Sequence, residues 1–158
     1  MNFELENKVA LITGGSKNIG KEIALSLASE KVNIAFTYNS SEKQAEQTLN
    51  EIKKFGVQAR AYKLDISKFN ETQDVLQKIY KDFGNIDILI NNAGFTQIKK
   101  FLETNIDDWN KQIDISLKGT IYCCHLVSKN MIKNQNGRII INNWNAYHTS
   151  SNGKKYFK

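Results

Sequence analysis

Thr13-Gly14-Gly15-Ser16-Lys17-Asn18-Ile19-Gly20 is the stretch on which the fold turns. The short β-branched run Val9-Ala10-Leu11-Ile12 precedes it, and Ile23, Ala24, Leu27 and Ala28 follow it at helical spacing. The order is therefore strand, tight turn, helix. Gly14 lets the backbone turn sharply, and Gly20 lets the helix lie close to the sheet, leaving the first helical N–H groups free to face an anion. A glycine turn alone says little; its place between a strand and a helix gives it meaning.

The rhythm repeats outward from there. A second strand reads from Val32 to Phe36, and Ser40-Ser41-Glu42 supplies N-cap candidates for a helix with Ala45, Leu49 and Ile52 that stops near Gly56. Ala59 to Leu64 reads as strand three. After Ser67 a helix carries Val75, Leu76 and Ile79, Gly84 ends it, and Ile86 to Ile90 form a fourth buried strand. Past Gly94 comes an irregular stretch, then a long helix from about Asp107 to Lys133 with Trp109, Ile113, Leu117, Ile121, Leu126 and Met131 on or near one face. Asn136-Gly137 closes it before a fifth strand, Arg138 to Ile141. This alternation predicts the α/β class: a Rossmann-type, doubly wound, mostly parallel sheet with helices on both faces. Residues 1–142 read as one nucleotide-binding domain. Residues 143–158 are polar, show neither period, and read as an irregular tail.

Composition narrows the classes. The chain has 158 residues, 41% hydrophobic and 24% charged, which fits one globular unit and excludes disorder or a fibrous repeat. No apolar run reaches the roughly 20 residues that span a bilayer, and Met1-Asn2-Phe3-Glu4-Leu5-Glu6 has no basic-then-apolar leader, so a cytoplasmic protein without a membrane partner is expected. Cys123 and Cys124 are adjacent and too few to frame a metal site, so none is expected. The net charge of +6 is spread along the chain rather than gathered on one segment, which speaks against a nucleic-acid partner.

Four landmarks in order resemble the short-chain dehydrogenase/reductase family from Lys8 to about Ile141: the turn Thr13 to Gly20, Asp65-Ile66 ending strand three, Asn91-Asn92-Ala93-Gly94 ending strand four, and Gly137-Arg138-Ile139 at strand five. The start Met1-Asn2-Phe3-Glu4, Phe95-Thr96 after Gly94, and Trp109 are similar to 3-oxoacyl-(acyl carrier protein) reductases and related ketone reductases. The resemblance implies an oxidoreductase that exchanges hydride between a nicotinamide dinucleotide and a carbonyl or alcohol. It also implies that Thr13, Gly14, Ser16, Lys17, Asn18, Ile19 and Gly20 form the phosphate turn. Asp65 would bond the adenine, Ile66 would lie against its ring, and Asn92, Ala93 and Gly94 would line the ribose. Asp65 has a second reading as a helix N-cap.

The choice of cofactor has a physical basis. NAD-specific sites place an acidic residue about 20 residues beyond the glycines, where it would repel a 2′-phosphate. Here Phe36-Thr37-Tyr38-Asn39-Ser40-Ser41 offers no carboxylate before Glu42. Lys17 sits in the turn where the resemblance implies a basic residue in NADP-using members, a cation that can pair with the phosphate; its second reading is a solvated surface lysine. NADP(H) is therefore expected over NAD(H), with Tyr38, Asn39 and Ser40 at the cofactor. Asn18 stands where the family usually has glycine, and asparagine is among the better non-glycine residues at positive φ.

The resemblance also implies a tyrosine as proton donor, a lysine four residues later, a serine after strand five and a helix asparagine. Tyr38, Tyr62, Tyr80, Tyr122 and Tyr147 are followed at the fourth position by Glu42, Ile66, Gly84, Leu126 and Ser151, and for Tyr156 the given sequence ends before a fourth position, so the Tyr-x-x-x-Lys motif is absent. Asn143 and Trp144 occupy the serine's approximate place, and Ser116 stands where the asparagine is expected. The polar switch after Ile141 reads as truncation or a frameshift, with the C-terminal strands and the usual oligomer-forming helix missing. Inactivity alone, marginal stability and an exposed sheet edge are the expectations, and a catalytically dead NADP-binding module is the alternative.

Overall fold

The computed structural model describes residues 4–97 and 99–142; the tail 143–158, with Asn143, Trp144, Tyr147 and His148, lies outside the described residues. Five strands, β1 (Val9–Ile12), β2 (Asn33–Tyr38), β3 (Ala59–Lys63), β4 (Ile88–Asn91) and β5 (Arg138–Ile141), form one parallel sheet in the order β3-β2-β1-β4-β5. Helices α1 (Asn18–Ser29) and α2 (Glu42–Lys53) cover one face. Helices α3 (Phe69–Phe83) and α5 (Gly119–Lys133) cover the other. Successive strand residues point to opposite faces. Ala10, Ile12, Ile34, Phe36, Ile88 and Ile90 thus pack on Ala24 and Ala28 of α1 and Ile52 of α2, while Leu11, Ala35 and Leu89 meet Ile79, Val127 and Met131. Their near-complete burial on both sides explains why β1 and the centres of β2 and β4 are apolar on both faces.

Element boundaries shift slightly from the sequence reading. β2 runs past Phe36 through buried Thr37 to Tyr38, because those residues continue the ladder with Tyr62 and Lys63 of β3. β3 stops at Lys63, and β4 runs from Ile88 to Asn91 rather than from Ile86 to Ile90. Ser41 takes the N-cap position of α2 but makes no side-chain cap bond.

The long helix needs a larger correction. It comprises α4 (Ile106–Gln112), a π-helical turn (Ile113–Lys118) and α5. A capping box between Asn105 and Asp108 starts it. The apolar row read on one face lies outside: Trp109 and Ile113 are each 44% exposed, Leu117 56% and Ile121 53%. Leu126 is half-buried, and Met131 alone of that set joins the core. The core stripe is Gly119, Cys123, Val127 and Met131. At its N-terminal end the stripe requires a glycine, since a Cβ on Gly119 would lie 2.9 Å from Ile66 Cγ2. Among the described residues β5 forms one edge of the sheet and β3 the other, and all the residues of β5 are exposed.

Candidate functional site

β1 has β2 on one side and β4 on the other, so chain connections leave in opposite directions at its C-terminal end. That switch point opens a crevice in a parallel sheet. The glycine turn occupies it. Gly14 has φ +68°, and a Cβ there would sit 3.1 Å from Ala93 Cα. Its N–H donates to Thr37 Oγ1 at 3.3 Å, and Gly15 N–H donates to Thr37 O at 3.0 Å, so the turn leans on the end of β2. A Cβ on Gly20 would collide with Gly14 O and the Asn92 amide, so the glycine is required for the helix to approach the turn. Asn18 takes φ +50°, the left-handed region foreseen for it. Lys21 N–H reaches Lys17 O at 3.3 Å, so the N–H groups of Asn18, Ile19 and Gly20 precede the first i−4 bond of α1.

Above the strand ends lies a cleft of about 1040 Å³. Its walls include Gly14, Ser16, Lys17, Asn18, Ile19 and Gly20 from the turn, and Tyr38, Asn39 and Ser40 after β2. Asp65 and Ile66 after β3, Asn92, Ala93 and Gly94 after β4, and Ser116 complete them. Of the residues assigned to the site from sequence, only Thr13 is not on the wall. It is 1% exposed, and its Oγ1 accepts from Asn92 N–H at 3.0 Å and Ala93 N–H at 2.9 Å. Thr13 thus ties β1 to β4 beneath the cleft.

Several wall residues are held from behind. The Asp65 carboxylate accepts from Ser67 Oγ at 2.6 Å and Ser67 N–H at 3.2 Å, and these bonds hold its pKa below the ordinary aspartate value. It makes a turn of its own and does not cap α3, whose N-cap position is Lys68. Ile66 is buried against Gly119. Asn92 Nδ2 donates to Thr13 O and Gly14 O, each at 3.1 Å. Ser116, in the π-helical turn, accepts from Phe95 N–H at 3.1 Å and so fixes the loop after Gly94. Lys17, Asn39 and Ser40 are exposed, and the first carboxylate after β2 is Glu42.

Two residues that support the site have no motif to announce them. Thr48 of α2 donates to Ser16 O at 2.9 Å, and Asn142 Nδ2 donates to Asn92 Oδ1 at 2.9 Å. Among the described residues, no group of three or more His, Cys, Asp or Glu is placed to hold a metal, and no helix is long and apolar enough to cross a membrane.

The family model described as short chain dehydrogenase matches residues 8–154. The 3-oxoacyl-[acyl-carrier-protein] reductase FabG of Staphylococcus epidermidis is 37% identical over 134 residues, covering 85% of this chain and 55% of that protein. Among solved structures, NAD+-bound xylitol dehydrogenase is similar with TM-score 0.83 and 31% identity, over 87% of this chain and 53% of that one. A short chain dehydrogenase from Burkholderia cenocepacia J2315 in complex with NADP gives TM-score 0.79 and 28% identity, over 87% of this chain and 55% of that one. The chain spans about half the length of the relatives it matches.

Proposed function

Since this chain belongs to the short-chain dehydrogenase family, we propose that it binds NADP(H) for hydride exchange with a carbonyl or alcohol, and that these 158 residues alone bind without turnover. One observation carries the cofactor choice. The cleft lining at the end of β2, Tyr38, Asn39 and Ser40, presents no carboxylate, while exposed Lys17 lines the same cleft. A carboxylate there would accept from both ribose hydroxyls and repel a 2′-phosphate; a lysine attracts it. Relatives are bound to NAD+ in one case and NADP in another, so the choice rests on this chain's own residues.

The cradle fits a dinucleotide because Gly14 and Gly20 let Ala93 and the start of α1 pack directly on the turn, which sets the first N–H groups of the helix at the cleft. The early N–H groups of α1 would receive the phosphates. Asp65 and Ile66 would take the adenine, and Asn92, Ala93 and Gly94 the ribose. The bound dinucleotide supplies the hydride. None of Tyr38, Tyr62, Tyr80, Tyr122 and Tyr147 has a lysine four residues later, the spacing at which a lysine would ready a tyrosine to give a proton to the carbonyl oxygen. Fluorescence titration with NADPH and NADH, paired with absorbance assays on ketone substrates, tests both halves. Saturable binding that favours NADPH without its oxidation is expected. Tighter NADH binding would overturn the first half, and steady NADPH oxidation the second.

A further inference from the structure

Thr48 stands on the buried stripe of α2 with Ala45 and Ile52, and it is 1% exposed. A threonine inside a helix ordinarily returns its hydroxyl to a carbonyl one turn back. Thr72 does so, to Lys68 O at 2.9 Å, and Thr120 does so, to Ser116 O at 2.9 Å. Thr48 instead donates to Ser16 O at 2.9 Å, 32 positions away in the chain. Ser16 is itself buried, so this carbonyl would lose its hydrogen bond if the hydroxyl were removed.

The consequence follows from peptide geometry. Ser16 C=O and Lys17 N–H lie in one plane and point in opposite directions across a trans peptide. Fixing the carbonyl on α2 therefore fixes the Lys17 N–H facing away from α2, at a residue that lines the cleft. A second link braces the same helix pair: Lys21 Nζ of α1 meets Glu51 Oε1 of α2 at 2.8 Å. Thr37 holds the turn from the β2 side through Gly14 and Gly15.

We infer that Thr48 is a positioning residue for the phosphate turn: through Ser16 it holds the Lys17 amide in the orientation that receives the pyrophosphate of a dinucleotide. This rests on the reading of the cleft as an NADP(H) site. Thr48→Val keeps the shape and deletes the donor, while Thr48→Ser keeps the donor. Each is titrated with NADPH and with adenosine 2′-phosphate, which has no pyrophosphate. Thr48→Val weakens NADPH by roughly ten-fold or more, and Thr48→Ser restores it. Adenosine 2′-phosphate binds all three proteins within about two-fold. An equal loss for both ligands would reduce Thr48 to a general structural role, and an unchanged NADPH affinity would remove even that; either result overturns the inference. If the unaltered chain shows no saturable NADPH binding, the cofactor reading falls first and the role of Thr48 with it. Thr48→Cys, close in size with a weaker donor, replaces Thr48→Val if the latter does not fold, and is read in the same way.

Discussion

Asn142 and Asn92 are joined amide to amide, Nδ2 of the first donating to Oδ1 of the second at 2.9 Å. Asn92 Nδ2 passes the link on to Thr13 O and Gly14 O. A line of amides therefore crosses from the end of β5 through β4 to the glycine turn. Asn92→Leu leaves those carbonyls unpaired and is expected to cost about 1–3 kcal/mol. The urea midpoint measures it, and an unchanged midpoint would make the amide line incidental.

Asn18 holds a left-handed backbone at φ +50° at the mouth of the cleft. Glycine accepts that conformation freely, whereas a β-branched residue strains it by about 1–2 kcal/mol. Asn18→Gly is expected to melt no lower than the parent, and Asn18→Val clearly lower. Equal melting of the two variants would contradict the strain argument.

Asp65 links stability to pH. Its folded pKa lies below the ordinary 3.8, chiefly because Ser67 Oγ donates to the carboxylate. A depressed carboxylate contributes stability above its unfolded pKa and loses it as pH falls through the folded one. Ser67→Ala should therefore lower the urea midpoint at pH values above 3.8, with the deficit shrinking as acid carries the solution below that value. A deficit independent of pH would assign the loss to something other than the carboxylate.

Cofactor preference should respond to two surface changes. Lys17→Met removes the cation expected at the 2′-phosphate, and Asn39→Asp places a carboxylate beyond β2. Each is expected to lower the ratio of NADPH to NADH affinity by about ten-fold, and the double variant to reverse it. Competitive titration reads the ratio, and a ratio unmoved by both would send the phosphate elsewhere.

The adjacent thiols should differ in chemistry. Burial pushes the Cys123 thiol up to about 12, while Cys124 is half-buried and accepts from Asn91 Nδ2 at 3.3 Å. Thiolate is the nucleophile. Iodoacetamide near neutral pH is expected to label Cys124 first and Cys123 only on unfolding, as peptide mapping would show; equal labelling of the folded chain would contradict the burial.

The strand–turn–helix reading at Thr13 to Gly20 succeeds because glycine there answers a backbone demand visible in one dimension, a positive φ at Gly14 and a missing Cβ at Gly20. The long helix is harder. Trp109, Ile113, Leu117 and Ile121 form the more conspicuous apolar row, yet Gly119, Cys123, Val127 and Met131 face the core. Hydrophobic spacing ranks residues by apolarity, whereas the contact with Ile66 demands a glycine at position 119. Thr13 looks like a ligand contact by its place in the motif and serves as a joint between strands. Thr48 carries no signal at all, because nothing local shows that its hydroxyl will reach Ser16 instead of its own helix.

The bonds from Thr13 to Asn92 and Ala93 join residues 79 and 80 positions apart. Contacts of such separation carry a large loop-closure entropy and form late. The β1-α1-β2-α2-β3 portion can assemble its ladders from much nearer neighbours, but Gly14 has no facing wall until β4 docks and brings Ala93 against it. The cleft is thus among the last features to appear as the chain folds. A molecule that binds there should slow unfolding far more than it hastens folding.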